Sequence, residues 1–205
     1  MASTVNFALL REGTSDDGLL PHLRELVIRA GAETVLGTPR QYSGTVETKL
    51  GQLLGEPVSV ELIFVHRDAD DSNGNRRHTE IATAAQNVQA PIPVVAVVPI
   101  QELEAWLLLD EPAIRAAVGR PNGTELITLP KISAVESTSS PKEVLAQACR
   151  DASGKSGRRL AKEKALFAQR RRVLLQRLDL DGPIRTLSAW RRLEDDVRAA
   201  VALLP

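Results

Sequence analysis

Three short apolar runs, residues 5–10, 58–65 and 94–98, recur along this chain with helix-periodic segments between them. The second alternates and then turns continuously apolar, the pattern of a strand buried on both faces. The third, VVAVV, is the strongest strand signal and is expected at the centre of the sheet. Between the first two runs, Leu19, Leu20, Leu23, Leu26, Val27 and Ala30 recur at helical spacing, predicting a helix over 17–29. Ser15 or Asp16 is placed to cap it, and Gly31 to end it. Residues 46–54 and 78–88 predict two further helices, whereas 32–44, with Gly37, Pro39 and Gly44, read as a loop. The order strand, helix, helix, strand, helix, strand implies an α/β fold with a mostly parallel sheet flanked by helices.

The remainder reads as helical. Residues 101–109 begin a helix whose apolar face is Leu103, Trp106 and Leu107, and residues 112–118 form another. Residues 119–140 are mixed loop with a possible short element at 125–129; 142–149 are helical and 152–159 a basic linker. Residues 161–178 and 184–203 predict two long helices. The expected division is an α/β domain over 1–135 and a helical C-terminal extension over 136–205, packed on or beside it. Trp106 and Trp190 fall within apolar helix periodicities and read as packing residues.

Acids punctuate this pattern. Glu12 follows the first apolar run, Asp68 and Asp70 follow the second, and Glu102 and Glu104 follow the third after a short gap. Acids at the carboxyl ends of strands of one sheet converge in the crevice where open α/β sheets build their sites. Converging carboxylates repel one another unless a cation neutralises them, and hard oxygen ligands suit Mg²⁺ or Mn²⁺. The competing reading is that Asp68 and Asp70 only end a strand and cap a turn; it explains one cluster more easily than three. Glu102 and Glu104 lie two apart and do not share a helix face, so one of them at most points into the crevice. His66 either orients a carboxylate or is a buried structural histidine, and Arg67 either touches a phosphate or pairs with Asp70.

The chain has 26 basic and 26 acidic residues, so global charge gives no argument for nucleic acid. Local charge does: Lys155, Arg158, Arg159, Lys162, Lys164, Arg170, Arg171 and Arg172 cluster in the C-terminal third. Such a cluster fits a phosphate backbone or a solvated helix face. Few aromatic residues are available as a stacking platform. The single cysteine, Cys149, excludes an intramolecular disulfide framework. No apolar stretch approaches the about 18 residues of a membrane helix, and Arg11 breaks the first apolar run. A cytoplasmic chain without membrane contact is expected. Ser15 has no nearby histidine base, and no phosphate-loop signature is present.

A strand followed by Glu12-Gly13, then a strand ending in Asp68-Ala69-Asp70, resembles the Toprim fold of topoisomerases, primases and nucleases of the overcoming-lysogenization-defect class. The later Glu102-Leu-Glu-Ala-Trp-Leu is similar to a small Toprim-related family of unknown function, DUF4276, whose members carry a Glu-Ala-Trp helix after a strand. The resemblance spans residues 5–135. It implies that Glu12 is a general acid/base or metal ligand, that Asp68 and Asp70 bind metal, and that Glu104 is the smaller family's distinctive glutamate; Lys131 in Leu129-Pro-Lys has a similar counterpart there. Topoisomerase-type domains extend the aspartate motif with a closely following acid. Here Asp70-Asp71-Ser72-Asn73 is followed by no glutamate before Glu80, and the only tyrosine is Tyr42. Strand passage and priming are thereby disfavoured. The function expected is Mg²⁺- or Mn²⁺-dependent phosphodiester hydrolysis of DNA or RNA, in a bacterial antiphage or mobile-element setting, with an ABC-type or AAA-type ATPase partner implied by the resemblance alone. The alternatives are a non-catalytic partner module that binds nucleic acid or nucleotide and docks on an ATPase, and a small-nucleotide phosphatase.

Overall fold

The computed structural model describes residues 4–57 and 59–205. Four strands, β1 (Thr4–Leu10), β2 (Thr34–Arg40), β3 (Leu62–His66) and β4 (Val94–Val97), form one all-parallel sheet in the order β2-β1-β3-β4. Helices α1 (Leu20–Arg29), α2 (Val46–Leu54) and α3 (Asn75–Asn87) make the crossovers between successive strands. The chain leaves β1 toward one edge and β3 toward the other. The boundary between β1 and β3 is therefore a topological switch point, which opens a crevice at their carboxyl ends.

Period-2 alternation divides the core into two layers. Val5, Phe7 and Leu9 of β1, with Leu62 and Phe64 of β3, face α1; Ala8, Leu10, Ile63 and Val65 face α2 and α3. Phe7 meets Phe64 edge-on at 5.1 Å. The α1 helix starts later than the sequence predicts: a 3₁₀ turn, Thr14–Leu19, precedes it and Pro21 enters its first turn. The predicted start of the second strand at Val58 lies outside the described residues.

Two expectations are corrected. Residues 32–44 contain β2, a strand rather than a loop. Gly37 and Pro39 disguise it, yet both suit an edge: Pro39 lacks an N–H that no neighbour needs, and Gly37 lies under the Phe7 ring, where a Cβ would come within 2.2 Å of Phe7 Cζ. Conversely, the central strand expected at 94–98 is the opposite edge strand, β4. Its apolar character comes from cover on both faces, by α3 on one and by the C-terminal helix on the other.

Beyond β4 the chain forms α4 (Glu104–Leu107), α5 (Glu111–Ala117), a 3₁₀ turn (Ile132–Ser137), α6 (Pro141–Ser153), α7 (Gly157–Ala165), α8 (Phe167–Gln176), a second 3₁₀ turn (Pro183–Thr186) and α9 (Ser188–Ala202). The single helix predicted over 161–178 is two, divided at Leu166. Buried Glu163 accepts from Lys155 Nζ (2.6 Å) and Arg170 Nε (2.7 Å), which ties the entry of α7 to α8 across that break. The α9 helix packs on β4 and α1 within the sheet's own helical layer. Its Trp190 meets Trp106 of α4 edge-on at 5.1 Å, both rings fully buried. Such a pair contributes about 0.5–1.5 kcal/mol beyond its buried area. It also fixes the turn that carries Glu104. Among the described residues, no helix is long and apolar enough to cross a membrane.

Candidate functional site

A cleft of about 390 Å³ opens at the carboxyl ends of β1 and β3. The segment after β1 contributes Glu12 and Asp16, the segment after β3 contributes Asp68, and the β4–α4 connection contributes Glu102 and Glu104. Helix α6 adds Lys142 at its first turn, and α8 adds Phe167 and Arg171. Glu12, Asp68 and Glu104 of the predicted set are thus brought together. Asp70 and Lys131 are not: neither lines the cleft, and Lys131 is exposed in the approach to the Ile132–Ser137 turn.

The floor of the cleft is a buried run of alternating charge. Asp68 Oδ1 lies 3.6 Å from His66 Nε2, and His66 Nδ1 lies 3.2 Å from Asp16 Oδ2. Asp16 Oδ1 is 3.5 Å from Arg171 Nη2, and Arg171 Nε donates to Glu104 Oε1 at 2.7 Å. The backbone N–H of Gly13 donates to Asp16 at 3.0 Å, and Arg171 Nη1 donates to the Ser15 carbonyl at 3.2 Å. Both His66 nitrogens face carboxylates, which favours a proton on each. Burial draws His66 toward the neutral form, but its contacts with Asp16 and Asp68 outweigh that and push its pKa up to about 9. Burial likewise opposes the charge of Asp16, yet His66, Gly13 and Arg171 hold it well below the usual carboxylate range. The floor thus sets a histidine and a guanidinium between three acids.

A second alternating run lies on the surface. Glu12 Oε1 is 2.5 Å from Arg67 Nε, and Arg67 Nη1 donates to Glu80 Oε1 at 2.9 Å. Arg77 donates to Glu80 Oε2 at 2.8 Å and to Asp70 Oδ2 at 2.6 Å. Asp70 has a left-handed backbone (φ 56°) and a side chain 63% exposed, turned to Arg77. Arg67 therefore pairs with Glu12 and Glu80, not with Asp70 as the sequence allowed.

Among the described residues, no group of three or more acidic, histidine or cysteine side chains is arranged to hold a metal ion. Of the four predicted carboxylates, Asp70 is turned to Arg77 and Glu104 is bonded by Arg171. Each of the two runs has three acids and two bases; the buried run lines the cleft with Asp68, Asp16 and Glu104, and the exposed one with Glu12. Asp68 Oδ1 accepts from the Leu103 N–H (2.8 Å) and lies 3.6 Å from His66 Nε2, an electrostatic contact beyond hydrogen-bond distance, while its Oδ2 accepts no hydrogen bond among the described residues. Glu12 Oε2 likewise accepts none. Glu12 and Asp68, each with one unbonded oxygen, are the residues that could hold Mg²⁺ or Mn²⁺, ions that characteristically take one or two carboxylates and fill their shell with water and phosphate. Glu102 accepts the Lys142 backbone N–H at 2.9 Å, while the exposed Lys142 side chain makes no ion pair among the described residues.

Sequence reasoning missed Asp16 as more than a cap, Arg171 as more than one of a basic cluster, and Lys142 and Phe167 altogether. Asp16 and Arg171 are 155 positions apart, and nothing local signals their meeting. Compared with protein-family models, curated proteins and solved structures, the chain matches none.

Proposed function

We propose that the cleft is the active site of a metal-dependent phosphodiesterase acting on nucleic acid. The carrying observation is the pair Glu12 and Asp68: each has one free oxygen, and each ends a run of three acids and two bases, at the switch point of a parallel sheet. Glu12 and Asp68 would hold Mg²⁺ or Mn²⁺, which when bound supplies charge neutralisation at the phosphate and a water that is nucleophilic at neutral pH. The Leu103 N–H, with the charge of His66 3.6 Å away, holds Asp68 Oδ1 and leaves Oδ2 unbonded. His66 and Arg171 together offset the charges of Asp16 and Glu104, two acids that would otherwise repel a phosphate. Lys142 places an unpaired ammonium on the opposite rim, where a phosphate oxygen gains from it. The Toprim-like order of Glu12-Gly13, Asp68-x-Asp70 and Glu104-Ala-Trp supports the reading, and an ABC-type or AAA-type ATPase partner enters from that resemblance alone.

Titration of Mg²⁺ and Mn²⁺ against supercoiled DNA, single-stranded DNA and RNA, with wild type beside Glu12→Gln and Asp68→Asn, tests this. Metal-dependent cleavage lost in both variants is the expected result; cleavage retained in both would remove the cleft from the chemistry. The cleft volume also suits a single nucleotide. A nucleotide phosphatase is therefore the second reading, and release of phosphate from mononucleotides without cleavage of any polymer would favour it.

A further inference from the structure

A second cavity of about 730 Å³ lies between α6, α7 and α8, and Phe167 lines both it and the cleft. Its wall is apolar at Leu126, Leu160 and Phe167, and basic at Arg150, Lys155 and Lys164. Leu126 is 87% exposed at this cavity, although no packing requirement keeps a leucine there. Glu163, in the same wall, is neutralised by Lys155 and Arg170, and Asp151 is hydrogen-bonded by Gln147. The surrounding charge is one-sided. Residues 155–177 contain nine bases and one acid, leaving 17 bases against 25 acids in the rest of a chain with no net charge. Arg158, Arg159, Lys162 and Arg172 are exposed and make no ion pair among the described residues. A solvated helix face of ordinary composition interleaves its charges; this one does not.

We infer that this cavity is a nucleotide subsite, so that a single strand of nucleic acid runs from the cleft past Phe167 into the space between α6 and α7. The scissile phosphate sits in the cleft. The neighbouring base enters the apolar part of the cavity against Phe167, and flanking phosphates meet Lys164 and the free bases of α7 and α8. Stacking on an aromatic face combined with a basic track is how single strands are held without sequence preference, and the track makes binding salt-dependent. The inference rests on the hydrolase reading for the fate of the strand but not for its binding.

The experiment is fluorescence anisotropy in EDTA with labelled short single-stranded DNA and RNA, a labelled mononucleotide and polyglutamate. Expected is an oligonucleotide bound more tightly than the mononucleotide or polyglutamate and weakened by salt. Phe167→Leu, which keeps apolar packing, should bind roughly tenfold less tightly, Phe167→Tyr should retain affinity, and the triple variant Arg158→Glu, Arg159→Glu, Lys162→Glu should flatten the salt dependence. Equal affinity for mononucleotide and oligonucleotide, polyglutamate binding as tight as oligonucleotide, or wild-type affinity in both Phe167→Leu and the triple variant would each overturn it. The wild type separates the two claims: a strand bound by it but never cut on adding Mn²⁺ ends the hydrolase reading and leaves the subsite.

Discussion

Two runs of five side chains leave the end of β3, each three acids alternating with two bases, in opposite surroundings. The inner run, Asp68-His66-Asp16-Arg171-Glu104, has its three middle side chains at 1%, 5% and 10% exposure; the outer one, Glu12-Arg67-Glu80-Arg77-Asp70, ends at 63%. In the inner run each charge is held by partners from different parts of the chain, so its members have little freedom to rearrange. In the outer run water screens each pair, and exposed ion pairs contribute at most about 1 kcal/mol. The inner run thus sets the position of Asp68. The outer one leaves Glu12 adjustable, with its other oxygen unbonded among the described residues.

The contrast can be broken most severely at Arg171. Arg171→Leu leaves Glu104 buried without its cation and Asp16 with His66 alone, and stability in urea should fall by about 3–5 kcal/mol, the cost of breaking one side of a buried pair. The equivalent cut in the outer run, Arg77→Ala, should cost about 1 kcal/mol or less. A comparable loss in both would abolish the distinction.

At the cleft, Asp68→Asn keeps an acceptor for the Leu103 N–H and removes the charge. Metal-dependent cleavage should fall by about two orders of magnitude or more, corresponding to roughly 3 kcal/mol of lost transition-state stabilisation, with little change in urea midpoint. The paired measurement is kcat beside denaturation on the same preparation.

A smaller effect separates the runs by pH. His66 has a raised folded pKa, so its stabilisation is fully present below its unfolded value of about 6.5 and is lost as pH rises through about 9. Asp16 has a depressed one: its contribution is present above the unfolded carboxylate range and is lost as pH falls through the lowered value. Wild type should therefore lose stability between neutral pH and pH 9 and beyond, and His66→Gln should lose that slope. Denaturation midpoints across this range check it; an unchanged slope in the variant would place the titration elsewhere.

Much of this architecture was legible in the chain. The second helix was read with the bounds the structure gives, and the apolar runs at 5–10 and 94–98 are strands because their composition leaves them few alternatives. Strand order was not legible. Residues 94–98 look central because apolarity reports burial on the two faces of a strand, which α3 and α9 supply, and says nothing about hydrogen-bonded neighbours. Strand β2 was hidden because Gly37 and Pro39 are penalised in strand interiors but tolerated where one side needs no partner. In the site, proximity to strand ends revealed Glu12 and Asp68. It could not show that Asp70, two residues on, takes a left-handed turn toward Arg77, or that Arg171 reaches Asp16 from a distant helix.

Mn²⁺ binding, followed by electron paramagnetic resonance, with wild type, Asp68→Asn and Asp70→Asn measured side by side, goes most directly to the claim that the two runs meet at one metal. The expected result is an ion bound by wild type and by Asp70→Asn with similar affinity, and lost in Asp68→Asn. Binding lost in Asp70→Asn and kept in Asp68→Asn, or equal in all three, would contradict it.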